Sequence, residues 1–314
     1  MKQRTLGRNG LRVSAIGYGA MVLSPGVYGH VNDEDSLRTL DYALENGLNF
    51  LDTAHFYGSG HNEQLLGRAI RHRREKVVLA SKGGLGFGAG GPEVDGRPAT
   101  LRQHLETSLE RLGTDYIDVY YLHAPDPNVP VAESIAAMSE FVREGKVRYL
   151  GISNFSLEQI QAAQAVHPIS ASQDQYSLFF RRPEEDGRRQ LLQDLGIALV
   201  AYSPLGQGIL GAAIKPEQGD FRANTARFQG DHLEHAQRLG AQFRAIASEA
   251  DLNPASLALA WLLSKGDQIV PIPGTRSIEN LKSNLAAADL ELSTDLLEKL
   301  DQTFPASVSM IAAF

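Results

Sequence analysis

The sequence predicts an α/β protein of the (β/α)8 TIM-barrel class. Eight short apolar runs follow one another along 314 residues, and a longer stretch with helical spacing follows nearly every run. Most of the runs are apolar without alternation, which is typical of parallel strands buried on both faces. Because the composition does not change along the chain, we expect a single domain over residues 1–314. An open, doubly wound sheet would also explain the alternation, but such sheets usually carry fewer strands.

The chain is expected to begin with a β-hairpin. Asn9-Gly10 stands between Thr5-Leu6 and an apolar stretch that starts at Leu11, and Asn-Gly is a strong signal for a two-residue hairpin turn. The eight barrel strands are then predicted at residues 15–20, 48–54, 76–82, 117–123, 148–153, 169–175, 198–203 and 269–274.

Helical patterns lie between these strands. Residues 33–47 have an acidic first turn and end at Gly47. Residues 100–113 are predicted to begin with Thr100 as the cap and to end at Gly113. Acidic residues near the start and glycine at the end are typical helix boundary signals.

Two long stretches interrupt this alternation. Residues 83–98 are rich in glycine and follow the third strand, and residues 204–230 follow the seventh. Long loops in compact domains are usually functional or disordered. Both loops begin at the C-terminal end of a strand, which is the face on which barrels place active sites. We expect the tail after Leu300 to pack over the same barrel mouth.

Composition argues against several classes of function. The net charge is −7, so a nucleic-acid partner, which needs a concentrated basic surface, is not expected. There is no cysteine, which excludes disulfides, thiolate nucleophiles and cysteine-based zinc sites. The sequence shows neither a signal-peptide pattern nor an apolar run of the roughly 20 residues needed to span a bilayer. A cytoplasmic protein without a membrane partner is therefore expected.

Four ionisable side chains are expected to meet at the C-terminal face of the barrel. Asp52 ends the second predicted strand, Lys82 the third and His123 the fourth. Tyr57 lies five residues beyond Asp52, in the loop above that strand. Because neighbouring strands are about 4.8 Å apart, side chains at these positions converge in one small volume.

Such a cluster suits proton transfer to a developing alkoxide. A free phenol has a pKa near 10, so Tyr57 alone is a weak general acid at neutral pH. The ammonium group of Lys82 would lower that pKa, and Asp52 would keep Lys82 charged in a partly buried site. His123 can donate a hydrogen bond to a carbonyl oxygen and so orient and polarise it.

Each of these residues also has an ordinary structural interpretation. Asp52 could be a helix N-cap, Tyr57 a packing residue, Lys82 a solvated loop residue and His123 the end of a strand. The convergence of all four by strand order favours the catalytic interpretation.

A metal centre is the other interpretation of this region. His55 and His61 could join Asp52 and His123 as ligands of a barrel hydrolase. Metal barrels typically supply an H-x-H pair from a strand end, and the spacing here does not provide one. We therefore expect no metal, and we expect His55 to lie near the substrate pocket.

The segments around these residues resemble the aldo-keto reductase family. The family's D-T-A-x-x-Y-G signature resembles GLNFLDTAHFYGSGHNEQLLGRAI (47–70), and its second signature resembles SLERLGTDYIDVYYLHAPD (108–126). Two cofactor segments resemble VREGKVRYLGISNFS (142–156) and IVPIPGTRSIENLKSNLAA (269–287). The resemblance covers roughly residues 3–290, nearly the whole chain.

The resemblance implies a catalytic tetrad of Asp52, Tyr57, Lys82 and His123 and NADPH (NADP⁺) as cofactor. It further implies that the nicotinamide contacts Ser153, Asn154, Gln173 and Tyr202, and that the pyrophosphate contacts Ser203, Leu205 and Gly206. The 2′-phosphate would contact Gly274, Thr275 and Arg276, and the adenine would contact Asn280 and Asn284. A planar arginine fork suits the phosphate. The cofactor would be bound without a Rossmann unit, because no G-x-G-x-x-G motif follows a strand.

Two further stretches, SPLGQGIL (203–210) and DFRANTARFQ (220–229), are similar to the auxin-induced-protein-like or perakine-reductase-like branch of bacteria and plants. The resemblance implies a monomer or a homo-oligomer. Gln175 stands where this branch commonly has Glu, which we expect to change the charge beside the cofactor. Gly83 stands where Phe is usual, which we expect to loosen the lid over the substrate.

The function implied is NADPH-dependent reduction of aldehydes or ketones to alcohols, with Tyr57 as general acid. The alternative is a cofactor-binding regulatory module similar to potassium-channel β-subunits, with slow turnover; the intact tetrad argues for catalysis. The partner is then a small carbonyl or alcohol substrate. The candidate pocket-lining residues are Tyr18, Met21, Phe56, Phe87 and Tyr120, about half of which are equally compatible with the core.

Overall fold

The structure is a computed structural model that describes residues 1–8, 10–88, 90–216 and 219–308. Strand β1 (Gln3–Leu6) pairs antiparallel with β2 (Leu11–Ser14), which confirms the predicted N-terminal hairpin. Asn9 of the predicted turn lies outside the described residues. The remaining strands are β3 (Tyr18–Gly19), β4 (Phe50–Asp52), β5 (Val78–Gly83), β6 (Leu85–Gly88), β7 (Gly91–Val94), β8 (Ile117–Leu122), β9 (Val147–Ser153), β10 (Ile169–Gln175), β11 (Ala198–Tyr202) and β12 (Ile269–Pro271).

Eight of these strands form one parallel sheet in the order β3, β4, β5, β8, β9, β10, β11 and β12. The first and last strands meet, because the Gly17 amide donates to the Pro271 carbonyl at 2.9 Å and the Gly19 amide to the Pro273 carbonyl at 3.2 Å. These bonds close the sheet into a barrel and confirm the predicted fold class. Strand β12 is shorter than predicted, since Pro271 and Pro273 have no N–H to donate to a ladder.

Helices surround the barrel, and in order they are α1 (Asp33–Glu45), α2 (His61–Ile70), α3 (Pro98–Leu112), α4 (Val131–Arg143), α5 (Leu157–Val166), α6 (Arg182–Glu185), α7 (Arg188–Leu195), α8 (Gly230–Glu249), α9 (Pro254–Ser264), α10 (Ile278–Ala286) and α11 (Thr294–Thr303). Short 3-10 turns lie at Ala20–Leu23, Tyr57–Gly60, Arg74–Lys76, Gly206–Gly208, Phe221–Asn224, Ala226–Phe228 and Ala306–Val308. Within the described ranges, no helix is long and apolar enough to cross a membrane.

The two helices predicted in detail are present, with one boundary corrected. Helix α1 begins after Asn32, whose side chain accepts from the Asp35 amide at 3.0 Å. Helix α3 begins at Pro98 rather than Thr100, because proline at the first helical position has the required backbone angle and needs no N–H partner. The Thr100 hydroxyl instead donates to Asp95 at 2.7 Å. Gly113 ends this helix with φ +62°, as predicted.

Alternate residues of the barrel strands face two separate cores. On β8, Val119 and Tyr121 belong to the interior cluster, whereas Tyr120 and Leu122 pack against the helices. The interior cluster also contains residues of the N-terminal hairpin, including Leu6. That hairpin therefore plugs one end of the barrel and leaves the other end for the site.

The two long loops contain more structure than expected. Residues 83–98 include a second antiparallel hairpin, β6 paired with β7. Residues 204–230 include three 3-10 turns, with Glu217 and Gln218 outside the described residues. Of the tail after Leu300, Phe304 is buried against Phe179 at a ring distance of 5.3 Å. Residues 309–314 lie outside the described residues, so the packing of the tail over the barrel mouth stays a prediction.

Candidate active site

Three of the four predicted catalytic residues come from three adjacent barrel strands. Asp52 is the last residue of β4, Lys82 is the next-to-last of β5 and His123 directly follows β8. Asp52 and Lys82 are 2% and 1% exposed, so neither is a solvated loop residue. Asp52 does not cap a helix, since α2 begins nine residues later at His61.

Lys82 is the central member of the cluster. Its Nζ donates to Asp52 Oδ1 at 2.6 Å, to the Thr53 carbonyl at 2.8 Å and to the Tyr57 hydroxyl at 3.4 Å. The second carboxylate oxygen of Asp52 accepts from the Gln173 side chain at 2.7 Å. An ammonium group has three donors, so these acceptors fix its orientation completely. The structure thus brings Asp52, Tyr57 and Lys82 together.

Burial and neighbouring charges shift the pKa values of these groups in opposite directions. Burial lowers the pKa of Lys82, but the attraction of Asp52 and Tyr57 outweighs it, so that pKa is raised above its ordinary value. Burial raises the pKa of Tyr57, and the nearby Lys82 charge opposes this rise without cancelling it. The lowering of the Tyr57 pKa by Lys82 is therefore smaller than the rise caused by burial, and Tyr57 stays protonated at neutral pH.

His123 completes the cluster on the side of Tyr57. The two rings meet edge to face with centroids 5.8 Å apart. Burial, and then the positive charge of Lys82, lower the pKa of His123 well below its usual range, so the imidazole is neutral. Its Nδ1 is buried and has no hydrogen-bond partner among the described residues.

The segment between Asp52 and Tyr57 is held from behind by helix α2. Asn62 on this helix is fully buried and accepts from the Thr53 hydroxyl at 2.6 Å. Its side-chain amide donates to the Ala20 carbonyl at 2.7 Å and to the Ser24 hydroxyl at 3.0 Å. Sequence reasoning missed Asn62, although it lies within the stretch that carries the D-T-A motif.

The residues predicted to contact the nicotinamide end of a cofactor also lie together. Ser153 and Tyr202 end β9 and β11, and Gln173 lies near the end of β10 between them. Asn154 has a left-handed backbone with φ +62°, and its side chain donates to the Ser153 hydroxyl at 3.0 Å. The Tyr202 hydroxyl donates to Asn154 Oδ1 at 2.9 Å. Gln173 also bonds to Asp52, which links this group directly to the catalytic cluster.

The residues predicted for the cofactor tail follow strands β11 and β12. Ser203, Leu205 and Gly206 begin the loop after β11, and Ser203 and Gly206 have φ of +50° and +59°. Gly274 and Thr275 lead from β12 into α10, and the Thr275 carbonyl accepts from the Tyr18 hydroxyl.

Arg276 and the two asparagines of α10 differ in their surroundings. The Arg276 guanidinium donates to the backbone carbonyls of Tyr28 and His30. Asn280 is exposed, whereas Asn284 is 1% exposed and neither atom of its amide has a hydrogen-bond partner among the described residues. A buried amide without partners is costly unless a ligand satisfies it, so this position suits a polar heterocycle.

Two loops meet at this edge of the site, which the sequence did not predict. Tyr28 and Asp220 form an isolated β-bridge, and the Phe221 amide donates to the Val27 carbonyl at 2.9 Å. The Arg222 guanidinium lies 4.4 Å above the Tyr28 ring. The loops after the first and seventh barrel strands therefore contact each other.

The candidate pocket-lining residues divide into two groups. Tyr18 and Tyr120 are fully buried core residues, which is the alternative that the sequence left open for about half of this set. Phe87 on the second hairpin is 65% exposed and packs on Phe56 with ring centroids 4.5 Å apart. Met21 is partly exposed.

The glycine at position 83, where the similar branch usually has Phe, does not leave empty space beside it. A Cβ at Gly83 would lie 2.2 Å from the Tyr120 hydroxyl oxygen. Tyr120 therefore occupies the space next to Gly83, so the expected loosening of the lid finds no support there.

The two histidines considered as metal ligands have other contacts. His61 Nε2 lies 2.8 Å from Asp33 Oδ1, and the His55 ring stacks on His104 with centroids 3.9 Å apart. Across the described part of the chain, no group of three or more His, Cys, Asp or Glu residues is placed to hold a metal ion.

Comparisons with known proteins show which family this chain belongs to. The family model described as Aldo/keto reductase family matches residues 15–304. A probable aldo-keto reductase of Glycine max is 38% identical over 306 residues, which is 96% of this chain and 88% of the relative. The solved holo form of an aldo-keto reductase from Bacillus halodurans superposes with a TM-score of 0.82 at 32% identity, over 98% of this chain and 97% of that one.

A second solved structure is an aldo/keto reductase of Klebsiella pneumoniae in complex with NADP and acetate. It superposes with a TM-score of 0.75 at 29% identity and covers 97% of this chain and 96% of that one. With a family model matching nearly the full barrel and relatives covering almost every residue, this chain belongs to the aldo/keto reductase family of oxidoreductases.

Proposed function

We propose that the protein is an NADPH-dependent oxidoreductase that reduces aldehydes or ketones to alcohols, with Tyr57 as the general acid. The observation that carries this proposal is the position of Lys82, whose ammonium group touches both the Asp52 carboxylate and the Tyr57 hydroxyl. A buried ion pair aimed at a phenol suits the stabilisation of negative charge on that phenol.

The residues at the barrel mouth fit NADPH (NADP⁺). The nicotinamide would be held by Ser153, Asn154, Gln173 and Tyr202, and the pyrophosphate by Ser203, Leu205 and Gly206. The 2′-phosphate would be held by Gly274, Thr275 and Arg276, and the adenine by Asn280 and Asn284. The unpartnered amide of Asn284 supports this assignment. When bound, NADPH supplies the hydride that reduces the carbonyl carbon.

Proton transfer is the part of the reaction that belongs to this chain. Tyr57 gives its phenolic proton to the carbonyl oxygen of the substrate, and a phenolate forms beside the Lys82 ammonium. Asp52 and the Thr53 carbonyl hold that ammonium in place throughout. A positioned general acid typically contributes about 10²- to 10⁴-fold to the rate.

His123 orients the substrate oxygen in this proposal. A neutral imidazole carries one N–H, and with the proton on Nε2 it donates to the carbonyl oxygen beside Tyr57. A charged imidazole would instead be repelled by the Lys82 ammonium group within a small buried volume. The lowered pKa of His123 supports the neutral form.

The test is a fluorescence titration of the protein with NADPH and NADH, followed by addition of 4-nitrobenzaldehyde. We expect tight binding of NADPH and steady oxidation of the nucleotide once the aldehyde is present. Tight binding without turnover across a panel of carbonyl compounds would favour the regulatory module. Binding of neither nucleotide would contradict the proposal.

A further inference from the structure

Glu63 is a buried carboxylate with no part in the proposed reaction. It lies in the first turn of α2 and is fully buried. The Ser81 hydroxyl donates to its Oε1 at 2.7 Å, and Arg111 of α3 donates to its Oε2 at 3.3 Å. Burial raises the pKa of Glu63, and both contacts oppose that rise. A carboxylate is expensive to bury, so its partners are expected to have a structural or functional purpose.

Arg111 connects this carboxylate to the turn that carries Tyr57. The same guanidinium nitrogen donates to the His55 carbonyl at 3.2 Å and lies 3.3 Å from His55 Nδ1. The guanidinium also packs against Gly60, where an added Cβ would lie 2.4 Å from Arg111 Cζ. Gly60 has φ +99°, so glycine is favoured there for its backbone as well. Arg111 therefore contacts both ends of the turn from His55 to Gly60.

The Glu63–Arg111 pair thus joins the neighbours of two catalytic residues. Ser81 precedes Lys82 on β5, and its side chain points away from the site because side chains alternate along a strand. His55 lies two residues before Tyr57. A continuous path runs from the strand of Lys82 through Ser81, Glu63 and Arg111 to the turn of Tyr57.

We propose that Glu63 and Arg111 are positioning residues that set the separation between the Lys82 ammonium and the Tyr57 hydroxyl, which is 3.4 Å. This inference rests on the proposed function, because it assigns these residues to the acid of that reaction. Without the pair, the turn from His55 to Gly60 keeps its backbone bond to β5, from the His55 amide to the Lys82 carbonyl at 3.0 Å, but loses the Arg111 contacts at His55 and Gly60. Tyr57 then moves away from the charge that favours its phenolate.

The effect on catalysis follows from distance. A displacement of about 1 Å in a reacting group can cost about 10²-fold in rate. Lys82 opposes the rise in the pKa of Tyr57, so a greater separation raises that pKa further and weakens the acid. The rate of reduction then falls, and its decline at alkaline pH moves to higher pH.

The experiment compares wild type with Arg111→Met, Glu63→Gln and the double variant. Glu63→Gln keeps an acceptor for Ser81 and removes the charge that holds Arg111. For each single variant we expect kcat to fall about 10- to 100-fold, the alkaline limb of the kcat–pH profile to move upward, and the Kd for NADPH to stay unchanged. The kcat of the double variant should be no lower than that of the more impaired single variant, since both substitutions interrupt the same path. Arg111→Lys should recover part of kcat.

Arg74→Met is the matched control. Arg74 precedes β5 at the opposite end of the barrel and pairs with the buried Asp118 at 2.8 Å. This variant should lose stability and keep both kcat and the pH profile.

Three results would overturn the inference. They are an unchanged kcat in Arg111→Met, a lower kcat with the alkaline limb in its wild-type place, and additive losses in the double variant. If Arg111→Met does not fold, Glu63→Gln decides by the same criteria. If the wild type binds NADPH and reduces no carbonyl compound, the proposed function fails first, and this inference fails with it.

Discussion

Lys82 shows how single residues define this site. Its side chain is buried, and each of its three N–H groups has an acceptor in Asp52, Thr53 or Tyr57. A buried ammonium group that lost its carboxylate would be left with an uncompensated charge. The ion pair therefore serves the fold of this region as well as the proposed reaction.

Arg276 carries the prediction about nucleotide preference. Replacement by Met should weaken NADPH binding about 10- to 100-fold, because a hydrogen bond to a charged group contributes roughly 1.5–3 kcal/mol. NADH, which has no 2′-phosphate, should bind the variant as it binds the wild type. Fluorescence titration with each nucleotide measures both affinities.

The control for this variant is Arg38→Met on the exposed face of the neighbouring helix α1. In the structure Arg276 donates to the carbonyls of Tyr28 and His30. An equal loss for both nucleotides would mean that Arg276 acts by holding that loop, which contradicts its assignment to the phosphate.

At the residue level the sequence predicts positions better than contacts. Asp52, Lys82 and His123 could be found because the C-terminal ends of parallel strands meet at one face. The bond from Gln173 to Asp52 joins residues 121 positions apart, and no local pattern indicates it. The engagement of Arg276 with backbone carbonyls likewise depends on where another loop lies.

At the scale of elements, the turn after β4 packs against helix α3 and the second hairpin through a stacked pair of histidines. His55 Nδ1 lies 3.3 Å from Arg111 Nη1, and the Gly84 amide donates to His104 Nδ1 at 3.2 Å. Burial is the main reason that the pKa of His55 is lowered to about 3. Burial also lowers the pKa of His104.

The lowered pKa of His55 predicts that the folded protein loses stability in acid. The unfolded chain protonates His55 near the ordinary value of about 6.5, whereas the folded protein does so only near about 3. Between these values the unfolded state binds more protons, so the free energy of unfolding falls as the pH falls. Thermal unfolding between pH 7 and pH 4 should show a smaller loss for His55→Gln than for the wild type.

Equal slopes of melting temperature against pH for wild type and His55→Gln would show that His55 does not bind protons differently in the two states.

Two elements were missed or misplaced for identifiable reasons. The sequence predicts a loop where the second hairpin lies because glycine is depleted in strands, and three of the eight strand residues of this hairpin are glycine. Tyr120 was placed in the pocket because the sequence does not show which face of β8 meets the helices. The close fit of Tyr120 against Gly83 settles that face.

For the whole molecule, closure of the barrel depends on the seam between β3 and β12. A Cβ at Gly19 would lie 2.6 Å from the Ile272 carbonyl oxygen, a backbone atom that belongs to the seam. Gly19→Ala should therefore lower the free energy of unfolding by about 1–3 kcal/mol, as overpacking of a tight site does. Chemical denaturation measures this change.

Gly211→Ala is the matched control, because the nearest atom to an added Cβ there is 3.7 Å away and the residue has no positive φ. Equal stability of the two variants would show that the seam tolerates a wider spacing.

The overall fold was the most predictable property of the chain. Repeated buried strands and amphipathic helices indicate a parallel barrel without any knowledge of contacts. The particular hydrogen bonds that close the barrel could not be deduced, since they join residues more than 250 positions apart. The bridge between Tyr28 and Asp220 is equally nonlocal.

The central claim is that Tyr57 is the general acid of a carbonyl reductase, and Tyr57→Phe tests it most directly. Phenylalanine keeps the ring that meets His123 and removes only the hydroxyl that Lys82 contacts. Turnover of 4-nitrobenzaldehyde should fall by about 10²-fold or more, with the fluorescence-measured Kd for NADPH nearly unchanged. Turnover that persists, or a loss of NADPH binding together with turnover, would contradict the assignment of Tyr57 as the acid.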